Sequence, residues 1–355
     1  MSTDRRILSL AWGNTRNKLA EGLYLKTGID LVLPLQVYGL VNRRCNARCR
    51  MCDSWRDKEA IELPASVWSR GMTSLKQLSP HCHVNLSGGE PLLKQDFLEI
   101  LEHCRKIGLS AGFTTNGILL DEKRIPRILE CKPFNINISL DSVEPGVHDD
   151  LRGVPGLFDK LVKNIACLRS LMEKTGMKVQ VVIKPTVSNR NVGGLAKLAE
   201  FARENGLSGV HYQPILEWSA ESKEMFNLDL GALSDSVSKL IEMRRSGYPI
   251  LNSESSMAEW GNHFRGARQS GKSPCTVALR SLTIGTDGHV ALCTMRMDDS
   301  VIGSIANDDI TTMWRSDTAL KIRRKLVKCR RLCTATCVVK RRLRDYLYLY
   351  RRFTR

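Results

Sequence analysis

Cys45-Asn-Ala-Arg-Cys49-Arg-Met-Cys52 follows directly on Leu35–Val41 (LQVYGLV), a short apolar run that reads as a buried strand. Further short apolar runs recur at 83–86, 111–114, 134–140, 179–183 and 209–212. Between them, Phe97, Ile100, Leu101 and Cys104 fall at i, i+3, i+4 and i+7, as do Leu195, Leu198, Ala199 and Ala202. Leu161, Ile165, Leu168 and Met172 mark another helix. Strands that alternate with helices pair in parallel, because each parallel crossover needs a helix's worth of chain. Six such units fill residues 35–250, too few to close an eight-fold barrel. The expected fold class is therefore α/β, a partial (β/α)6 TIM-like barrel with a wide mouth. Around it the sequence divides into an N-terminal helical extension over 1–34, helical from Asn17 to Leu25 and stopped at Gly28. Beyond it lie a polar linker over 251–274, a small Cys-rich domain over 275–338 and a basic, aromatic tail over 339–355.

The 355 residues hold 12 cysteines, and they are not spread evenly. Three fall within residues 45–52 and five within the final third, at 275, 293, 329, 333 and 337. No apolar run approaches the ~18 residues that span a bilayer, and the N-terminus lacks the apolar core of a secretory signal. A cytoplasmic setting is expected, where disulfides explain so many thiols poorly and clustered cysteines point to metal or cluster ligands. A loop leaving the C-terminal end of a barrel strand is where active-site residues emerge. Three thiolates cannot close the four-coordinate shell of structural zinc. They can hold three irons of a cubane [4Fe–4S] cluster and leave the fourth open for a ligand. A zinc site completed by a distant histidine, or three merely structural thiols, are the alternatives at this point.

This spacing resembles the CxxxCxxC signature of the radical S-adenosylmethionine (SAM) enzymes. The resemblance implies that Cys45, Cys49 and Cys52 hold a [4Fe–4S] cluster whose open iron chelates SAM. An electron from the cluster then cleaves SAM to a 5′-deoxyadenosyl radical, which abstracts hydrogen from an unactivated C–H bond of the substrate. One position departs from the family: the residue before the last cysteine is usually aromatic, and here it is Met51, whose thioether can still pack an adenine face. Downstream, Ser87-Gly88-Gly89-Glu90-Pro91 matches the family's GGEP motif, so Gly88, Gly89 and Glu90 are implied to hold the SAM amino group. Thr114-Thr115-Asn116-Gly117 resembles its TNG element, with Thr115 beside SAM. Asn137-Ile-Ser139-Leu-Asp141-Ser142 resembles its NxSLDS element, in which Ser139 contacts the ribose or carboxylate. Arg152 matches an arginine that pairs with the SAM carboxylate. These elements fall in the family's order at successive strand ends.

Towards the C-terminus, Cys275 and Cys293 flank a hairpin-like stretch around Asp287-Gly288, a tight-turn signal. Cys329, Cys333 and Cys337 follow. The pattern resembles the SPASM domain, or its shorter twitch form, which implies one auxiliary [4Fe–4S] cluster as electron acceptor or substrate anchor. Five thiols leave one surplus among Cys329, Cys333 and Cys337, with Cys333 and Cys337 the favoured pair. A zinc ribbon is the alternative. His81-Cys82-His83, Cys104, Cys131, Cys167 and Asp53 read as ordinary packing or turn residues, and no residue is singled out as a general base.

Of the net charge of +17, +13 lies between Lys321 and Arg355, where 14 Lys and Arg face a single acid, Asp345. The basic tail, with aromatics interleaved, is expected to cover the auxiliary cluster or to make a peripheral membrane contact, helped by Trp12, Leu19, Leu23 and Tyr24 of the N-terminal helix. Nucleic-acid binding is the weaker reading of the same tail. The resemblance implies a small-molecule substrate (a sugar, an aminocyclitol or a lipid-linked group) or a peptide, and an electron donor such as flavodoxin or ferredoxin. The lack of an evident N-terminal peptide-recognition domain leans towards the small or lipid-linked substrate. An RNA-modifying radical SAM enzyme and a non-enzymatic iron–sulfur or zinc protein are the competing classes.

Two cubane clusters amount to about eight irons per chain. Anaerobic reconstitution followed by iron and zinc analysis should find this number, and changing Cys45, Cys49 and Cys52 together to Ala should leave about four. About four irons plus zinc in the parent protein would make the C-terminal thiols a zinc ribbon.

Overall fold

In the computed structural model, residues 3–56, 61–217, 219–266, 274–334, 348 and 350 are described. Six parallel strands form the expected partial barrel: β1 (Gln36–Leu40), β2 (His83–Ser87), β3 (Ser110–Thr115), β4 (Asn135–Ile138), β5 (Gln180–Ile183) and, after the short β6 (Thr186–Val187), β7 (Gly209–Val210). They pair in chain order, β1-β2-β3-β4-β5-β7, while β6 pairs in parallel with β8 (Gln213–Pro214) at the mouth. The residues whose spacing predicts helices face the sheet. Phe97, Ile100, Leu101 and Cys104 are buried in the helix Phe97–Lys106, and Leu161, Ile165, Leu168 and Met172 in Leu157–Thr175. Leu195, Leu198, Ala199 and Ala202 are buried in Leu195–Glu204. Each large aliphatic side chain so buried contributes about 1.5–3 kcal/mol relative to its exposed state.

The C-terminal segment is not a detached unit. Its first strand, β9 (Ser281–Ile284), pairs in parallel with β1, from Gln36 opposite Ser281 to Gly39 opposite Ile284. The antiparallel β10 (His289–Ala291) and β11 (Val301–Ser304) follow, so a single nine-stranded sheet runs β11-β10-β9-β1-β2-β3-β4-β5-β7. The edge that an incomplete barrel leaves open at β1 is thereby covered, which removes a row of unpaired backbone groups. The stretch expected to be a linker is also packed: helices Glu254–Ala258 and Trp260–Phe264 bury Met257, Trp260, His263 and Phe264. Its polar composition hid an apolar residue every third or fourth position.

The N-terminal helix α1 spans Thr3–Thr27, much longer than the sequence indicates, and ends where Gly28 takes a positive φ of 79°. Its inner face is mostly small and polar, which is why periodicity misses it: Gly13, Asn14, Asn17, Ala20 and Glu21 are buried between Ile7 and Tyr24, and Tyr24, expected to help a membrane contact, is thus turned into the core. It runs under the N-terminal ends of the strands. Ser9 Oγ meets His81 Nδ1 at 2.7 Å just before β2, and Asn17 bonds both Leu33 N and Leu279 O, just before β1 and β9. Glu21 forms a buried ion pair with Arg280, whose Nε donates at 2.8 Å. Past the helix, Asp30 pairs with Arg323 at 2.6 Å and Trp314 Nε1 donates to Val32 O at 3.0 Å. No helix among the described residues is long and apolar enough to cross a membrane. Most of the basic tail, and Cys337, lie outside the described residues.

Removing one partner of a buried ion pair leaves an uncompensated charge, at a cost of about 3–5 kcal/mol. Glu21→Ala should lose that much stability in denaturant unfolding, and adding Arg280→Met should recover most of it. Near-equal stability of the single variant and the parent would show that α1 is not clamped through this pair.

Candidate active site

The thiol loop leaves β1 at its C-terminal end and is fixed by main-chain bonds on two sides. On one side Val41 N donates to Ser87 O (2.8 Å), Gly89 N to Asn42 O (2.9 Å) and Glu90 N to Arg44 O (2.8 Å). A Cβ on Gly88 would stand 2.2 Å from Asn42 O, and one on Gly89 would stand 2.3 Å from Arg44 O. The two glycines thus let one loop's backbone lie against the other's. On the far side Arg48 N donates to Arg152 O and Arg50 N to Leu151 O, both at 3.0 Å. There Gly153, at φ 63°, faces Arg48 O with no room for a side chain.

Cys45, Cys49, Met51, Cys52, Gly88, Gly89, Thr115, Ser139 and Arg152 all line one cavity of about 280 Å3 at the C-terminal ends of the strands. Trp55 joins them, its indole donating to Cys49 O at 3.4 Å and lying between the guanidinium groups of Arg48 and Arg56. Thr186 and residues 213–216 close the opposite wall. Burial raises the Cys45 and Cys49 thiols, opposed at Cys45 by Ala47 N–H and Asn116 and at Cys49 by Arg152. Two of the three sulfurs receive a side-chain donor: Asn116 Nδ2 reaches Cys45 Sγ, and Arg152 NH1 reaches Cys49 Sγ, each at 3.8 Å. Donors aimed at sulfur favour the thiolate that ligates iron, so this donor set fits a cluster with one open position.

Glu90 lies behind the cavity wall rather than in it. It is fully buried, and its carboxylate accepts from Leu92 N (3.1 Å), Thr115 Oγ1 (2.8 Å) and Asn116 N (2.7 Å). Burial outweighs these bonds and pushes its pKa up to about 7. Arg152 is equally constrained: its Nε and NH2 meet Asp141 Oδ2 at 2.6 Å and Oδ1 at 2.9 Å. Burial would lower its pKa, but Asp141 and Cys49 raise it further, so the guanidinium stays charged. Asp141 also accepts from Thr186 N at 2.8 Å. Asn116 and Asp141 hold these positions from within the TNG-like and NxSLDS-like motifs, though neither was a candidate site residue. The signal was their place in those motifs, beside residues that were chosen.

The C-terminal thiols gather separately. Burial pushes the Cys333 thiol up to about 12, and Cys275, Cys293 and Cys329 are near enough to raise it further. Cys329 is brought together with Cys333, Cys275 and Cys293, whereas the favoured partner Cys337 is outside the described residues. These four donors fit an auxiliary cluster. Beside them is a second cavity of about 380 Å3, lined by Glu217, Phe226, His263, Met295, Arg330, Arg331 and Cys333. Leu216 stands on the wall of both cavities, and Gln213 Nε2 crosses to Thr334 O at 3.4 Å. Among the described residues no three His, Cys, Asp or Glu side chains close around a single metal ion.

His148 supports Asp141 from below, its Nδ1 accepting from Asp141 N at 3.2 Å. Burial lowers its pKa to about 4 from 6.5. The unfolded chain therefore binds the extra proton first, so stability is full above pH 6.5 and falls as pH drops towards 4. Between pH 7 and 4 the parent should lose about 3 kcal/mol more than His148→Gln in denaturant unfolding. Identical pH profiles would remove His148 from the acid response.

Residues 40–199 match the radical SAM superfamily, and residues 275–338 match SPASM, an iron–sulfur cluster-binding domain. The chain is 26% identical over 171 residues to a PqqA peptide cyclase of Methylocella silvestris, covering 44% of this chain and 46% of that one. It is 30% identical over 167 residues to an AdoMet-dependent heme synthase of Methanosarcina barkeri, covering 41% and 46%. These matches span about half the length of either relative. In fold it is similar to Streptococcus suis SuiB bound to S-adenosylmethionine, with a TM-score of 0.68 over 86% of this chain and 71% of that one, at 17% identity. With a thiol loop at the end of β1 and a second thiol set in the C-terminal segment, the chain belongs to the radical SAM superfamily, in the subclass with a C-terminal SPASM domain.

Proposed function

We propose that the chain is a SAM-cleaving enzyme that abstracts hydrogen from a peptide. The observation that carries the reading is the single cavity that three loop thiols, two of them accepting from a side-chain N–H, share with a glycine wall at the strand ends. A [4Fe–4S] cluster and SAM bound there would supply an electron and a 5′-deoxyadenosyl radical that takes a hydrogen atom from substrate. Cys45, Cys49 and Cys52 hold the cluster, and Asn116 and Arg152 orient two of the thiolates. Gly88 and Gly89 present backbone to the SAM amino group, while Glu90 acts through them, fixing the wall from behind. Met51 and Trp55 offer apolar surface for the adenine, and Ser139 a hydroxyl for the ribose or carboxylate. Cys275, Cys293, Cys329 and Cys333 hold the auxiliary cluster, with the substrate in the cavity between the two sites.

The peptide cyclase relative supports a peptide, and Glu217, Arg330 and Arg331 on the second cavity's wall suit polar, charged groups better than a lipid chain. A tetrapyrrole is the second reading, favoured by the similarity to the heme synthase.

Reconstituted protein given SAM and dithionite under anaerobic conditions should form 5′-deoxyadenosine, detected by mass spectrometry, and Cys45→Ala should form none. Changing Cys275 and Cys293 to Ala should spare this abortive cleavage while removing the second cluster. A fully loaded parent protein that forms no 5′-deoxyadenosine would sink the proposal.

A further inference from the structure

Helix α1 buries mostly small and polar residues, with Ile7 and Tyr24 the bulky exceptions, and leaves three large apolar side chains in solvent: Leu8 is 56%, Trp12 63% and Leu19 75% exposed. Spacings of four and seven place these three on one helix face. Leu25, Ile29 and Leu31 extend the exposed apolar surface past the end of the helix. Of the eight large hydrophobic residues exposed among the described residues, six lie in this segment, which singles it out from the scattered apolar atoms of any surface.

The charges on the same face have one sign. Among residues 6–31, Arg16, Lys18 and Lys26 are exposed, whereas the acids Glu21 and Asp30 are turned inward onto Arg280 and Arg323. Bulky apolar residues ringed by cations, with no exposed carboxylate among residues 6–31, are complementary to the headgroup region of an anionic bilayer. They are poorly matched to a second copy of the chain, which would set three cations against three more.

We propose that the outer face of α1 docks the protein on an anionic phospholipid surface, lying in the plane of the interface. Because α1 lies under the N-terminal ends of the strands, the SAM cavity at their C-terminal ends then opens away from the lipid. This inference does not depend on the substrate or on the chemistry proposed above.

Sedimentation of full-length, cluster-loaded protein with vesicles tests it. Phosphatidylcholine vesicles containing phosphatidylglycerol should bind the protein, and phosphatidylcholine alone should not. Trp12→Ser and the pair Leu8→Ser with Leu19→Ser should each weaken binding about tenfold or more. Replacing Arg16, Lys18 and Lys26 with Gln should weaken it as well, and added salt should do the same to the parent. All these positions are exposed, so thermal melts should match the parent. The basic tail has its own charge, and a variant with Arg341, Arg342 and Arg344 changed to Gln separates the two. Binding that survives the apolar variants and vanishes in the tail variant overturns the proposal. So does an absence of vesicle binding coupled to self-association that Leu19→Ser abolishes.

Discussion

The position of the thiol loop rests on backbone lying against backbone. Residues 42–50 have no regular secondary structure, yet their main chain is bonded on one side to Ser87–Glu90 and on the other to Leu151–Arg152. Both contacts need the absence of a side chain, at Gly88 and Gly89 on one flank and Gly153 on the other. A main-chain clamp fixes the Cα positions of the cysteines without using their sulfurs, which stay available for ligation. The two flanks come from the turn after β2 and from the end of the helix Pro145–Arg152 after β4, so residues far apart in the sequence hold the loop from both sides.

Around this clamp sit two buried charges with different supports. Asp141 and Arg152 neutralise each other bidentately, and each also serves a neighbour: Thr186 N for the acid, Cys49 Sγ for the base. Glu90 has hydrogen-bond donors but no cation, and its raised pKa is the mark of that difference. A carboxyl left in this state is about half ionised at neutral pH, so a cation arriving on the far side of the glycine wall would favour its charged form. That arrangement suits the recognition of an ammonium group without direct side-chain contact, and it separates Glu90 from residues that line the cavity.

Much of this was legible in the sequence, because helices that pack one apolar stripe on a sheet announce themselves by spacing. The three predicted stripes are buried at every named position. The thiol loop and the motifs after β2, β3 and β4 converge on one cavity because parallel topology brings all the strand C-termini to one face. Where the sequence misled, the face looking inward was polar or the partner was distant. Helix α1 buries Asn14, Asn17 and Glu21 between Ile7 and Tyr24, so its buried stripe carries no apolar period. The strands after β1 looked simply apolar, yet Asn85, Asn135 and Asn137 form a hydrogen-bonded rung inside the barrel. The motif also does not show that the Glu90 side chain bonds Leu92, Thr115 and Asn116, because it fixes which residues are adjacent in chain, not which way a side chain turns.

The pairing of β9 with β1 connects the two thiol sets mechanically. Cys45 to Cys52 continue from the end of β1, and Cys293 follows β10, which returns alongside β9. Side chains alternate faces along a strand, so a slip of one residue between β9 and β1 would turn Leu282 and Ile284, both fully buried, towards the other side of the sheet. Ser281 and Thr283 are buried on the opposite face, where Thr283 Oγ1 meets Thr294 Oγ1 at 2.6 Å, so a slip would exchange hydroxyls and apolar side chains between the two faces, and this fixes the register. Helix α1 reinforces that register from below, since Asn17 and Glu21 bond residues 279 and 280 immediately before β9. The relative placement of the two thiol sets is therefore set by strand register and a buried ion pair, independently of any cluster bound to either.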